Sequence, residues 1–300
     1  MSVLEKVKEL REITGAGMQD CKNALKENDN DIEKSIEFLR KKGVLKAAKK
    51  SSRDAAEGLV IVGEGKDGIS LTEINSETDF VAKNEEFINF CSKISKISTE
   101  VGTLEDLNSS KFEDITVQES IVNLVSKIGE NIKLRRFENI KRGDDKIAFY
   151  IHNKASDVTG KIVSAIKYKS SNENSKNLAT NICMHIAAMS PMALNEKGLD
   201  QEFLEKEKKI IHEQLEKEGK KPEILEKIVS GKLNKVISEN TLLKQGFVVD
   251  QDLSVEKAIN QHNKENSDQF EILNFIRFKV GEGVEVSKID FSEEVKSLAT

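Results

Sequence analysis

The chain has 300 residues, of which 37% are hydrophobic and 33% are charged, enough for one large domain or two to three smaller ones with cores of their own. No run approaches the roughly 18 consecutive apolar residues of a membrane-spanning helix, so such a helix is excluded. The 52 acidic residues outnumber the 47 basic ones, and the net charge of −5 argues against a protein whose main partner is nucleic acid.

Cysteine use and the first residues indicate the compartment. Cys21, Cys91 and Cys183 are odd in number and far apart, as in a reducing cytoplasm. Met1–Glu5 lacks the charged and then apolar pattern of a secretory signal. We therefore expect a cytoplasmic protein.

The N-terminal residues 1–42 predict a small domain of three short helices. Apolar residues recur at helical spacing until Thr14–Gly17 breaks the pattern. A second helix is predicted from Met18, and a third follows the turn at Asn28–Asn30, whose residues also favour helix capping.

A basic linker is predicted at residues 43–55. From Arg40 to Arg53 the chain carries seven Lys or Arg and no acid, which is compatible with RNA or ribosome contact. The other interpretation is a solvated helical linker in which Leu45, Ala47 and Ala48 pack lightly. No aromatic residue is interleaved for base stacking, which favours the second interpretation.

Two hairpin-and-helix units follow and predict an α+β core in two related subdomains. Strands are predicted at Gly58–Val62 and Ile69–Asn75, followed by a helix that carries Phe80, and further helical patterning occupies residues 117–129. The order repeats with strands at Ile147–Ile151 and Gly160–Tyr168 and a helix beyond them. The predicted subdomains are residues 56–140, and residues 141–198 together with 241–282.

Residues 199–240 predict a protruding antiparallel helical hairpin. Two highly charged helices carry narrow apolar stripes, and Gly219–Pro222 separates them, with Pro222 placed to start the second helix. A last strand is predicted at Ile272–Val280. Residues 283–300 predict a C-terminal module that ends in an amphipathic helix at Phe291–Leu298.

Convergent catalytic groups are missing from the sequence. The four histidines stand in four different segments, and no metalloprotease, nucleophile-elbow or phosphate-loop motif occurs. Cys183 and His185 are two residues apart on a predicted apolar helix, where core packing is a better interpretation than metal ligation. We expect neither an enzyme nor a cofactor nor a bound metal.

The segment from Asn75 to Asn84 has two interpretations. A strand ends near Asn75 and a helix begins near Thr78 or Asp79, either of which is able to cap it, which would make Phe80 a core residue. Alternatively, residues at such a strand-to-helix junction project from the edge of the core. There Asp79 and Phe80 would serve as a probe pushed into a partner.

At this point the sequence resembles the elongation factor Ts family. Val7–Arg11, Thr14–Met18 and Asp20–Lys22 are similar to its N-terminal signature, and Thr78–Ala82 is similar to its second signature. Shorter matches follow in family order at Ala55–Gly58, Lys127–Ile132, Met184–Ala188 with Pro191, and Phe275–Phe278 with Gly281–Gly283. The ordered match along the whole chain is highly specific, although no single piece is.

The resemblance implies a fold and a function. The fold would combine a UBA-like N-terminal domain, a two-part core, an inserted coiled-coil hairpin and a C-terminal module. The function would be to bind elongation factor Tu·GDP and promote GDP release, remaining bound until GTP binds, without catalytic chemistry. No membrane and no stable nucleic-acid partner are expected. The hairpin leaves a homodimer or a two-plus-two complex with elongation factor Tu open; the alternative function is a scaffold or RNA-binding adaptor.

The resemblance also assigns roles to residues. The segment associated with dislodging Mg²⁺ from elongation factor Tu matches Thr78, Asp79, Phe80 and Val81. Expected contacts with the partner are Arg11, Met18 and Gln19 from the N-terminal domain, Ile128 and Gly129 near the partner's phosphate loop, and His152 of the second subdomain. One departure is Asn181, since family members commonly have histidine there.

Overall fold

The computed structural model describes residues 2–14, 16–218 and 222–285. It divides into two compact units, the first made of Met1–Lys141, Asn153–Ile162 and Phe278–Thr300, the second of Arg142–His152 and Val163–Arg277. The predicted helix at Phe291–Leu298 and most of the predicted C-terminal module lie outside the described residues. The mixture of helices with antiparallel strand pairs is an α+β fold, as predicted.

The first unit begins with the three predicted helices, α1 (Val3–Thr14), α2 (Met18–Glu27) and α3 (Ile32–Lys50). Their shared core consists of one face of each helix: Val7, Leu10, Cys21, Ala24, Leu25 and Leu39. Spacing of three and four residues brings these side chains to the same side of each helix. The helical periodicity of the sequence is confirmed here.

Helix α3 extends through most of the stretch predicted as a linker. The Asp31 carboxylate caps its start by accepting the Lys34 N–H at 2.9 Å, and the helix continues for 19 residues. Ala47 packs against the neighbouring core, but Leu45 is 64% exposed. Ala48 is also exposed. The expectation that Leu45 and Ala48 pack lightly is therefore wrong, because both lie on the solvent side of α3.

The remainder of the first unit is a sheet covered by helices. Its elements are β1 (Glu57–Gly65), β2 (Gly68–Ser76), α4 (Glu85–Ile97), α5 (Leu104–Ser109), β3 (Lys111–Phe112), β4 (Ile115–Thr116), α6 (Val117–Ile128) and β5 (Ile132–Lys141). Strands β1 and β2 form the predicted hairpin, with Glu57 opposite Ser76 and Gly65 opposite Gly68. Strand β5 pairs antiparallel with the other edge of β2. Strand β2 is thus central and almost wholly buried.

A buried carboxylate fastens this sheet. Glu73, in the middle of β2, contacts both Arg135 and Arg136 of β5 and accepts the Gly281 N–H at 2.8 Å. The Arg136 guanidinium also lies 4.1 Å from the centre of the Phe278 ring. A buried charge is tolerated only when such partners surround it.

The second predicted hairpin consists of β6 (Lys146–Ser156) and β7 (Thr159–Lys169). Both strands are longer than predicted, and the turn is confined to the residues between Ser156 and Thr159 instead of Asn153–Asp157. At the turn end, Gly160 pairs with Val60 of β1 within the first unit.

The second unit continues with α7 (Ser175–Met189), α8 (Gln201–Lys217), α9 (Pro222–Asn240), β8 (Gly246–Phe247), β9 (Asp250–Ser254), α10 (Val255–Asn266) and β10 (Glu271–Lys279), of which the last two residues belong to the first unit. Helices α8 and α9 form the predicted hairpin around Ile211, Leu215, Leu225 and Val229. Their predicted turn at residues 219–221 lies outside the described residues. Helix α10 was not predicted. No helix among the described residues is long and apolar enough to cross a membrane.

His185 is buried on the inner face of α7. Its Nδ1 accepts the Val248 N–H at 3.3 Å, so Nε2 carries the ring proton and donates to Gln245 Oε1 at 3.0 Å. Burial lowers the pKa of His185, although the hydrogen bond with Gln245 acts in the opposite direction. His185 is therefore a neutral core residue, in agreement with the packing interpretation of Cys183 and His185.

We expect Glu73→Ala to lower the free energy of unfolding by about 3–5 kcal/mol, because Arg135 and Arg136 lose their buried counter-charge. Glu57→Ala is the control, since it removes an ion pair of 2.7 Å with Lys161 in which both side chains are partly exposed. That loss should stay below about 1 kcal/mol. Urea denaturation measures both, and equal losses would contradict the role given to Glu73.

We expect His185 to make stability depend on pH. Because its pKa is lower in the folded state, the unfolded chain binds the proton more readily below its ordinary pKa of about 6.5. Stability should therefore fall as the pH drops from about 7 towards 5, by up to about 1.4 kcal/mol per pH unit. Urea midpoints should show a flatter dependence in His185→Gln than in the wild type. An unchanged slope would contradict this prediction; the exposed His152 provides His152→Gln as control.

Candidate functional site

The candidate site begins where β2 ends, in the loop Glu77–Phe80. A single turn of 3₁₀ helix follows at Val81–Lys83, and α4 begins only at Glu85. The N-cap residue of α4 is Asn84, whose side-chain oxygen accepts the Glu86 N–H at 2.9 Å. The predicted helix start at Thr78 or Asp79 is therefore wrong.

Hydrogen bonds fix the loop by joining two of its successive residues to two successive residues of another segment of the chain. The Glu130 carboxylate accepts the Thr78 N–H at 2.9 Å and the Thr78 hydroxyl at 2.6 Å. In return, the Glu77 carboxylate accepts the Asn131 N–H at 2.5 Å. We call these four residues, Glu77, Thr78, Glu130 and Asn131, the acid clamp. Because Thr78 bonds to Glu130, its hydroxyl is not used to cap a helix.

Phe80 projects from this fixed loop into solvent. Its side chain is 76% exposed, whereas the next two residues, Val81 and Ala82, are buried in the core of the first unit. The interpretation of Phe80 as a core residue is wrong, and the structure has the outward orientation of the alternative. A large aromatic side chain that is exposed while its neighbours are fixed is available as an anchor for a partner.

Asp79 adds a charge beside this aromatic ring. Its carboxylate forms an ion pair of 2.7 Å with Lys83, whose ammonium lies 5.9 Å from the centre of the Phe80 ring. The hydrogen bond from Lys83 keeps the pKa of Asp79 below its usual value. The tip of the loop therefore presents an aromatic ring next to an ion pair of Asp79 with Lys83.

The clamp brings a second predicted contact region to the loop. Helix α6 ends at Ile128, and Gly129 terminates it in the left-handed conformation with φ of 89°. The Gly129 carbonyl accepts a hydrogen bond from Lys50 of α3. Since Glu130 follows directly, the Ile128–Gly129 turn and the Thr78–Val81 segment share one support.

The other predicted contacts lie elsewhere. Arg11, Met18 and Gln19 are exposed on α1 and α2 of the first unit, and Gln19 donates to Asn23 at 3.0 Å. Among the described residues, no hydrogen bond or ion pair joins them to the loop. His152 belongs to the second unit, where its exposed ring lies 3.2 Å from the Tyr150 hydroxyl.

Asn181 also belongs to the second unit. It lies partly exposed on α7, one turn before the exposed Met184. The position at which the family resemblance leads us to expect histidine therefore lies on an accessible part of the helix.

Sequence reasoning missed the supporting residues of the site. Glu130 and Asn131 entered only as part of a family match, and Glu77 had no role. Their partners lie more than 50 positions away in the chain, so local periodicity carries no information about them. The sequence offered one signal, an acidic residue directly after a glycine that ends a helix. The side chain of such a residue is no longer part of the helix and is available to bond another segment.

The basic stretch between Arg40 and Arg53 is largely engaged within the chain. Lys42 and Lys46 both bind Asp20, at 3.0 and 2.9 Å, and their hydrogen bonds lower the pKa of that acid. Three further contacts join Lys41 to Glu37, Lys50 to the Gly129 carbonyl and Arg53 to Glu77. Five of the seven basic side chains thus have internal partners among the described residues, which favours the structural interpretation of this stretch.

Comparisons with known proteins place the sequence in a family. The family model described as Elongation factor TS matches residues 77–282, beginning at the acid clamp. Elongation factor Ts of Clostridium kluyveri is 44% identical to this chain, with 99% of this chain and 98% of the relative covered. The Clostridium perfringens protein of that name is 42% identical, covering 99% of both chains, and the Rickettsia bellii protein is 40% identical, covering 97% and 96%. With a family model over more than half of its length and such relatives over nearly all of it, the chain belongs to the elongation factor Ts family of translation elongation factors.

Proposed function

We propose that this protein binds elongation factor Tu·GDP, promotes GDP release and remains bound until GTP enters. The observation that carries the proposal is Phe80, a large apolar side chain exposed at the tip of a loop that is fixed at both ends. Membership of the elongation factor Ts family supports elongation factor Tu as the partner. The protein would act by binding alone, without catalytic chemistry, a cofactor or a metal of its own.

The mechanism follows from linked equilibria. Mg²⁺ bridges the phosphates of a bound nucleotide and oxygen ligands of the GTPase, and so contributes to nucleotide affinity. A partner that prefers the GTPase without metal and nucleotide must weaken nucleotide binding by the same factor. GTP binding from solution then expels the exchange factor through the same reciprocity.

The loop residues have complementary roles in this mechanism. Phe80 would enter an apolar pocket of elongation factor Tu and act as the anchor of the interface, since its side chain loses water contact only on binding. Asp79 would bring a negative charge to a site that is organised around Mg²⁺ and phosphate. Thr78 and Val81 would hold the loop, Thr78 through Glu130 and Val81 through the core.

Further contacts would surround this centre. We infer that Ile128 and Gly129 reach the phosphate loop of the partner, because they share the support of the Thr78–Val81 segment. The exposed Arg11, Met18 and Gln19 would dock on the GTPase domain through the UBA-like helices, and His152 would contact the partner from the second subdomain.

We also propose that the domains are divided as the sequence predicts and that α8 and α9 pack as a coiled coil. A homodimer or a two-plus-two complex would use the hairpin.

Steeply salt-dependent RNA binding without a complex with elongation factor Tu would instead favour the adaptor function.

We expect Phe80→Ala to lower the stimulated rate of GDP release by about 30-fold, equivalent to about 2 kcal/mol for an interface anchor. Folding should be unaffected, because the side chain is 76% exposed. Release of labelled GDP from elongation factor Tu measures the effect. Val249→Ala is the matched control, since Val249 is 53% exposed on a hairpin without an assigned contact. Wild-type stimulation by Phe80→Ala would refute the assignment.

We also expect the purified protein alone neither to bind nor to hydrolyse GTP, because nucleotide would be held by the partner. Titration calorimetry with GTP and GDP and a phosphate-release assay measure the two properties. Tight nucleotide binding by this chain in isolation would count against the proposed function as a whole.

A further inference from the structure

We propose that Glu130 is a positioning residue that presents the Phe80 loop and the Ile128–Gly129 turn to the partner as one rigid unit. The inference rests on the proposed function, because the loop is assumed to act on elongation factor Tu. It assigns Glu130 a role in the free protein, before any partner is bound.

The two hydrogen bonds with Glu130 fix both the backbone and the side chain of Thr78. One carboxylate oxygen accepts the backbone N–H, which sets the path of the chain, and the other accepts the hydroxyl, which sets the side-chain rotamer. Ser76 completes the support, because its hydroxyl donates to the Thr78 carbonyl at 3.0 Å. Hydrogen bonds to an ionised acceptor are about twice as strong as those between neutral groups.

The acid clamp is reciprocal, because each of the two segments supplies one accepting carboxylate and one donating residue. Bonds at two adjacent positions oppose rotation of one segment relative to the other. Glu77 accepts from Asn131 while Glu130 accepts from Thr78, so two adjacent residues on each segment are joined. The Asn131 side chain also donates to the Arg53 carbonyl at 2.8 Å. The segment that follows α3 is therefore part of the same support.

The consequence is that little of the loop is left to move. Between Thr78, which is held by Glu130, and Val81, which is buried, only Asp79 and Phe80 remain. Ordering a loop at an interface opposes binding, and a loop that is already ordered avoids this cost. Loss of the clamp should therefore slow productive insertion of Phe80 even though no contact with the partner is removed.

The chain provides a chemically matched control at the opposite end of α6. Glu119 accepts the Thr116 N–H at 2.9 Å and the Thr116 hydroxyl at 3.0 Å. The two donor groups are of the same kind as those that Glu130 binds on Thr78, although a single oxygen of Glu119 accepts both bonds. This pair is a capping box and touches neither the Phe80 loop nor the Ile128–Gly129 turn. Its removal reports the general effect of losing such bonds.

The test compares Glu130→Ala with Glu119→Ala in the full chain. We expect Glu130→Ala to lower stimulated GDP release about tenfold, whereas Glu119→Ala stays within about twofold of the wild type. Glu130→Gln should recover most of the rate, since its amide is able to bond both the N–H and the hydroxyl of Thr78. Thr78→Val removes only the hydroxyl bond, so its loss should be smaller than that of Glu130→Ala, and the double variant should lose no more than Glu130→Ala alone.

A second readout is independent of the partner. Hydrogen exchange of the Thr78 and Asn131 amides in the free protein should accelerate in Glu130→Ala but not in Glu119→Ala. Wild-type GDP release by Glu130→Ala, together with the Phe80→Ala defect, would overturn the positioning role alone. A slower Glu130→Ala with unchanged exchange protection would also overturn it, by indicating direct contact with the partner. If the wild type fails to stimulate GDP release, the proposed function is refuted; the amide exchange still decides whether Glu130 orders the loop.

Discussion

Strand β2 is paired on both sides, with β1 and β5, up to Ser76, and the chain must then leave the strand ladder without leaving its polar backbone groups unpaired. The first N–H groups beyond a strand have no regular partner, and burying them unpaired would cost free energy comparable to a lost hydrogen bond. Glu130 and Glu77 solve this problem for both segments that meet there. This exchange joins the start of the Phe80 loop to the residues that connect α6 with β5.

The buried Glu73, three residues before the end of β2, likewise needs partners on a neighbouring segment. A carboxylate in the centre of β2 requires Arg135 and Arg136 on the neighbouring strand, which fixes the register of β5. Because β5 begins directly after Asn131, this register also places Glu130 within reach of Thr78. Phe80 follows directly on residues that are fixed by the sheet and by the acid clamp, and its own side chain is exposed.

Local patterns predicted most of the secondary structure. The two hairpins, the three N-terminal helices and the α8–α9 pair follow from apolar periodicity and turn residues, which act over a few positions. The start of α4 was misplaced because Thr78 and Asn84 are both good caps, and the choice between them depends on Glu130, 52 positions away. The family signature identified Thr78–Val81, but the exposure of Phe80 and the residues that support it required the three-dimensional contacts.

The acid clamp also closes a long excursion of the chain. Everything between Thr78 and Glu130, including α4, α5 and α6, leaves and returns to one point that is held by hydrogen bonds. The cost of closing such a loop grows only with the logarithm of its length. The segment is nevertheless not a loose loop, because Leu107 of α5 and Phe112 of β3 are buried in the same core as Val81. The acid clamp and this core therefore close the same excursion twice, once by hydrogen bonds and once by apolar packing.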